Sequence, residues 1–185
     1  FITTEQFSES SRHFLKHKCY TFAPEGTSEH IEFWDEQDRR CREGYSVGGT
    51  RITGEHYAYL NFGRILATVD DGKRQRKIDT FPKFLDMDYY WYHELEAAEL
   101  NGEGMIVVKA RRKGFSYKNA FGMAWKYNWF PFSISILAAY EKTFWATTME
   151  MAKNMINFIN ENTDFSKGFL HDRQDGIKSG YVEKD

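Results

Sequence analysis

A basic segment that also holds a glycine and a serine carries the clearest chemistry in the sequence. It reads Lys109-Ala110-Arg111-Arg112-Lys113-Gly114-Phe115-Ser116. The phosphate loop of nucleoside triphosphatases reads G-x-x-x-x-G-K-[ST], and Gly114 and Ser116 fit its frame. Two positions differ, because Lys109 stands in place of the first glycine and Phe115 in place of the lysine. The pattern predicts a phosphate-binding loop whose lysine has moved to its start.

Each of these residue types has a role in binding a nucleoside triphosphate with Mg²⁺. Lys109 has a long flexible stem, so its ammonium can reach the phosphates from the front of the loop. Gly114 permits close approach of the backbone, and the Ser116 hydroxyl is placed to bind Mg²⁺. Arg111 or Arg112 would stabilise charge that develops on the γ-phosphate. The predicted binding loop is completed by Ala110, Lys113 and Phe115.

A phosphate loop needs a strand before it and a helix after it, so that backbone amides face outward at the edge of a sheet. Residues 105–108 are an apolar run of strand-forming types, and residues 115–129 have a helical pattern. A second apolar strand is predicted at residues 133–140 and a second helix at residues 143–162. Alternating units of this length predict an α/β fold, in which a parallel sheet with right-handed crossovers is flanked by helices.

The first part of the chain has a different pattern, and we interpret residues 1–80 as a mixed leader subdomain. Ser28 is a candidate cap for a helix over residues 29–43, and Gly44 is its stop. Residues 51–63 are rich in aromatic and β-branched types and predict extended structure. Alternating aromatics such as Tyr57 and Tyr59 are most simply explained as core packing.

The core is predicted over residues 81–185. A loop at residues 70–77, which contains a basic run, separates it from the leader. We expect this loop to be flexible and exposed, and contact of the basic run with DNA or a partner is the alternative. Asp86 or Asp88 is a candidate cap for a helix that runs to Leu100 and ends at Asn101-Gly102.

Length and composition exclude several classes of protein. The chain has 185 residues, of which 41% are hydrophobic and 28% charged, as expected of a folded chain with one sizeable core. No apolar run approaches the roughly 20 residues of a membrane span, so no membrane is expected among its partners. The net charge of -2 gives no overall attraction to a polyanion. Any contact with nucleic acid must therefore come from a local patch.

Two segments resemble phage terminase large subunits, the motors that package viral DNA. The loop at residues 109–116 is similar to the deviant Walker A loop of that family, in which the lysine stands at the front and arginines lie inside. Upstream, Ile52-Thr53-Gly54-Glu55-His56-Tyr57-Ala58-Tyr59-Leu60-Asn61-Phe62 resembles the stretch that precedes this loop in many phage terminases. The resemblance covers roughly residues 30 to 165.

The resemblance implies a P-loop ATPase with ATP and Mg²⁺ as cofactors. It implies that the full-length protein moves double-stranded DNA into a procapsid through a portal protein, as a homo-oligomeric ring that works with a terminase small subunit. It also implies a carboxy-terminal nuclease that cuts concatemers, the cytoplasm of an infected bacterial host, and an adenine contact near Tyr89. No Walker B strand ending in Asp-Glu follows Ser116. We therefore expect this piece to lack efficient ATP hydrolysis and DNA cleavage.

Two other interpretations compete with this one. The strand, loop and helix are shared by other P-loop NTPases, such as helicase-type enzymes, which should lack the signature at residues 52–62. The alternative is a non-enzymatic module, whose basic turn contacts DNA phosphates or an acidic partner without a nucleotide.

Overall fold

The chain divides between Lys113 and Gly114 into two units, Phe1–Lys113 and Gly114–Asp185. The structure is a computed structural model and describes residues 4–70, 72, 74–111, 113–173 and 176–179. The boundary that the sequence predicts near residue 80 lies within the first unit.

The first unit combines four α-helices with two antiparallel hairpins among its described residues. The chain starts with a 3-10 turn at Thr4–Ser8. The helices are α1 (Glu9–His17), α2 (Ser28–Glu43), α3 (Gly54–Phe62) and α4 (Asp86–Asn101). The hairpins are formed by β1 (Tyr45–Val47) with β2 (Thr50–Ile52), and by β3 (Ile65–Asp70) with β4 (Gln75–Thr80).

Helix α3 is the centre of the first unit, and each of its nine residues is buried. It begins where the Thr53 side chain accepts a hydrogen bond from the backbone N–H of His56 at 3.3 Å. The prediction of extended structure over residues 51–63 is therefore right for β2 and wrong for α3. Aromatic residues favour strands because they fit a half-buried surface, and complete burial among helices removes that preference.

Helices α2 and α3 approach each other closely at Gly54. A Cβ atom placed there would lie 2.5 Å from the carbonyl oxygen of Cys41 and 2.7 Å from that of Arg42. Both neighbours are backbone atoms of α2, which cannot move aside as a flexible side chain would. Gly54 is thus the residue that allows α3 to start against the end of α2.

Helix α2 confirms the predicted helix over residues 29–43, with one correction at its start. Its N-cap is Thr27, whose side chain accepts a hydrogen bond from the backbone N–H of His30, and not Ser28. Helix α4 likewise confirms the predicted helix that ends at Gly102, but its N-cap is Leu85 and no aspartate side chain caps it.

The β3–β4 hairpin replaces the flexible loop that was predicted at residues 70–77. Six residue pairs join its strands, from Ile65 opposite Thr80 to Asp70 opposite Gln75. The turn is tightened by the backbone N–H of Gly72, which donates to the Asp70 carboxylate at 2.9 Å. Local turn chemistry therefore places the second half of the basic run on an ordered strand.

The second unit is a pair of packed helices followed by a short hairpin. Helix α5 spans Phe115–Trp129 and α6 spans Lys142–Asn162, so both predicted helices are confirmed, the second with one more residue at its start. The hairpin consists of β5 (His171–Arg173) and β6 (Gly176–Lys178). The buried side chains of the two helices include Phe121, Trp125, Trp129, Met155, Ile156 and Ile159.

The two predicted apolar strands have no strand partner among the described residues. Residues 105–108 and 133–139 are irregular, with Ile106 94% exposed, Val108 96% exposed and Ile134 87% exposed. A strand forms only when a neighbour accepts and donates its backbone hydrogen bonds. The described sheets are all two-stranded and antiparallel, and the parallel sheet stays a prediction.

Among the described residues, none of the helices combines the length and the apolar character needed to cross a bilayer.

Candidate phosphate-binding site

The start of helix α5 has the properties of an anion site. Its N-cap is Gly114, in the left-handed region at φ 68°, and the glycine carbonyl accepts hydrogen bonds from Tyr117 N–H at 3.1 Å and Lys118 N–H at 3.3 Å. The first turn holds no carboxylate. The positive end of the helix dipole is therefore not neutralised by a local acidic residue, and it favours an anion there.

The hydroxyl that was predicted to bind Mg²⁺ lies at this helix start. Ser116 is exposed in the first turn of α5, whereas Phe115 is half-buried beside it. The left-handed conformation of Gly114 explains why glycine occupies the position, since other residues adopt a φ of 68° only with strain.

A buried lysine adjoins this helix start, and the sequence alone did not single it out. Lys118 is 3% exposed, and its ammonium lies 5.8 Å from the centre of the Phe115 ring. A lysine in a helix is ordinarily solvated, so Lys118 differs from other helical lysines only in its burial, which the sequence does not show.

The cations of the predicted loop belong to the end of the first unit. Lys109, Ala110, Arg111 and Lys113 are exposed and non-helical, and Arg112 lies outside the described residues. The described part of this segment is irregular, as the backbone of a phosphate loop is.

Tyr89, the predicted adenine contact, lines a cavity of about 220 Å³ in the first unit. The rings of Phe7 and Phe84 stack on its wall with their centres 5.7 Å apart. The centre of the Tyr89 ring lies 6.3 Å from that of Phe84. The cavity is lined by Thr4, Phe7, Thr50, Phe84, Asp86, Tyr89 and Tyr90. Flat aromatic walls with a few polar groups suit a planar heterocyclic ring.

An ion pair holds helix α4, which supplies much of this lining. The Arg51 guanidinium donates to both oxygens of Glu96, at 2.7 and 2.9 Å, and this bond raises the pKa of Arg51. The Arg51 carbonyl also lies 3.0 Å from the His93 ring nitrogen Nε2, and His93 packs against Tyr89. Strand β2 thereby fixes the helix that carries Tyr89.

Among the residues with described positions, no three His, Cys, Asp or Glu side chains gather where they could hold a metal ion. Mg²⁺ in nucleotide sites is usually bound by one or two carboxylates together with phosphates and water. The exposed Ser116 hydroxyl is the ligand that the sequence predicts.

Comparison of the chain with protein-family models, with curated proteins and with solved structures gives no match in any of the three.

Proposed function

We propose that the chain is the ATP-binding part of a viral DNA-packaging terminase large subunit. One observation carries the proposal: helix α5 begins on Gly114, in the left-handed region, directly after a basic run and without a carboxylate in its first turn. Nucleotide phosphates are bound by the backbone amides of a helix start and by cations that lie next to them in the sequence.

In this proposal, the residues of the loop have separate roles in binding a triphosphate. Lys109 neutralises phosphate charge, and Arg111 or Arg112 stabilises the charge that develops on the γ-phosphate. The Ser116 hydroxyl binds Mg²⁺, which when bound neutralises charge on the phosphate oxygens. The remaining loop residues, which bring their backbone to the phosphates, are Ala110, Lys113, Gly114 and Phe115.

The aromatic cavity supports an adenine contact at Tyr89. Its volume of about 220 Å³ is below that of pockets for drug-sized ligands, roughly 300–1,000 Å³, and suits a single ring system. Asp86 on its wall would accept hydrogen bonds from an exocyclic amine. This part of the proposal predicts that Tyr89→Ala weakens binding of ATP more than binding of a pyrimidine nucleotide.

In the full-length protein, ATP hydrolysis would drive double-stranded DNA into a procapsid. The partners of this activity would be a portal protein, a terminase small subunit and further copies of the chain in a ring, in the cytoplasm of an infected bacterial host. A carboxy-terminal nuclease would cut the concatemeric DNA.

A titration with a fluorescent ATP analogue and Mg²⁺ tests the phosphate site. Charge-assisted hydrogen bonds contribute about 1.5–3 kcal/mol, so Lys109→Ala should weaken binding by about tenfold or more while circular dichroism stays unchanged. In the full-length protein the same variant should lose ATPase activity. Lys16→Ala, at the exposed end of α1, removes an equal charge and is the control.

Equal affinity of Lys109→Ala and the unchanged chain for ATP would reject the proposed site. DNA binding through the basic turn with no nucleotide affinity would favour the non-enzymatic module instead. Strand unwinding by the full-length protein, without packaging, would favour a helicase-type enzyme.

A further inference from the structure

The β3–β4 hairpin is a two-stranded ribbon that lies largely in solvent. Every described residue from Arg74 to Asp79 is exposed, and on β3 only Ile65, Ala67 and Val69 are half-buried. A two-stranded hairpin is marginally stable unless its base is fixed. Here the Arg64 guanidinium fixes the base, because it pairs with Asp79 at 3.0 Å and lies 4.4 Å above the buried Phe81 ring.

Charge is distributed unevenly along this ribbon. At the base, Arg64 and Asp79 neutralise each other. The far end carries Arg74, Arg76 and Lys77, which we call the basic tip. Asp70 is the only carboxylate at that end among the described residues, and it accepts the Gly72 N–H within the turn. Although the whole chain has a net charge of -2, the basic tip is locally positive.

The register places cations on both faces of the ribbon. Arg76 lies opposite Val69 and Lys77 lies opposite Thr68, and successive residues of a strand point to opposite faces. A ribbon of this kind presents positive charge to two sides at once. A partner with anionic groups on both sides of a cleft matches that arrangement.

The major groove of B-form DNA is such a cleft. It is roughly 12 Å wide, it is bordered by a phosphate backbone on each side, and it admits a two-stranded ribbon. A strand of six residues extends roughly 20 Å, which is enough to reach into the groove from outside.

We propose that the basic tip of the β3–β4 hairpin binds double-stranded DNA by entering the major groove and contacting phosphates on both of its sides. The contact is independent of sequence, because its groups are cations directed at phosphates. It is a site apart from the nucleotide loop and does not require ATP.

Fluorescence anisotropy with a labelled DNA duplex, from about 50 to 200 mM salt, tests the proposal. The double variant Arg76→Ala with Lys77→Ala should bind at least tenfold more weakly at the lowest salt. Its slope of log affinity against log salt should fall by about 0.9 for each DNA phosphate that the variant no longer neutralises. The control, Lys16→Ala with Lys83→Ala, removes the same charge from exposed positions elsewhere and should retain affinity and slope.

Three results would overturn the proposal. The first is unchanged DNA affinity in the hairpin variant, and the second is an equal loss in the control. The third is equal affinity of the unchanged chain for an RNA duplex, whose deep, narrow major groove cannot admit the ribbon. Circular dichroism of each variant is expected to match that of the unchanged chain, because the substituted side chains are exposed. A loss of DNA binding confined to the hairpin variant supports the proposal whether or not the chain binds ATP.

Discussion

At the scale of single residues, Asn61 joins three segments of the first unit. Its side-chain amide donates to the carbonyl oxygens of Phe7 at 2.8 Å and Tyr57 at 2.9 Å, and its side-chain oxygen accepts the Ser11 N–H at 3.1 Å. All of these contacts are buried, so the amide satisfies backbone groups that water does not reach.

Substituting Asn61 should destabilise the chain strongly. Asn61→Ala leaves the Phe7 carbonyl and the Ser11 N–H buried without this partner, and each such group costs about 1–3 kcal/mol. We expect the free energy of unfolding to fall by about 2–4 kcal/mol. Urea denaturation followed by circular dichroism measures it. Asn101→Ala, at the exposed end of α4, should change the value by less than about 0.5 kcal/mol, and a similar small change for Asn61→Ala would contradict this account.

Part of the candidate site could be predicted from residues alone. Gly114 and Ser116 lie at the start of α5, which spans the residues whose helical pattern predicted it, whereas the strand predicted before them at residues 105–108 is irregular. Lys118 and the Arg51–Glu96 pair could not be predicted in this way. Burial of one lysine, and contact between residues 45 positions apart, depend on tertiary packing that single residues do not specify.

At the scale of elements, the helices differ in how well their sequences predict them. Helices α2 and α6 each expose one face, so their apolar residues recur at helical spacing. Helix α3 is buried on all sides and shows no such period, and its aromatic residues suggested a strand. The β3–β4 hairpin was missed because its second strand, β4, carries charged residues, which are rare in sheets.

The charges on helix α2 should make stability depend on pH. A hydrogen bond from Arg39, opposed by partial burial and reinforced by Arg40, lowers the pKa of Glu36 from 4.5 to about 2. A carboxylate with a lowered pKa in the folded state stabilises the fold above its unfolded value. That contribution should be lost as the pH falls from about 4.5 towards 2.

The variant Glu36→Gln should remove this pH dependence. The side chain is 38% exposed, so solvent screens the pairs, and we expect a difference of about 1 kcal/mol or less between pH 6 and pH 3. Urea midpoints at both pH values measure the effect, with Glu29→Gln on the same helix as the control. The prediction fails if Glu36→Gln and the unchanged chain lose equal stability on acidification.

At the scale of the whole molecule, a large part of the apolar surface remains in water. Ile106 and Val108 in the first unit, and Ile134 and Ile136 in the second, are each at least 87% exposed. Both segments consist of strand-forming residues, and neither pairs with a strand among the described elements. Exposed apolar segments of this kind promote association between chains.

We therefore expect the chain to associate as its concentration rises. Replacing Ile134 and Ile136 by lysine should reduce that association, because each change adds charge to an exposed apolar segment. Sedimentation velocity over a range of concentrations measures it, and thermal unfolding should shift little, since neither side chain is buried. Replacing Leu15 and Leu85, also exposed, by lysine is the matched control. Equal association of all three chains would contradict the expectation.

The complete burial of helix α3 also bears on how the first unit opens. Its backbone amides are shielded by α1, α2 and α4, so a proton can exchange with solvent only after those helices separate. The amides of α3 should therefore be the slowest in the first unit to take up deuterium. The segment that looks least helical in sequence would then report the global opening of the unit around it.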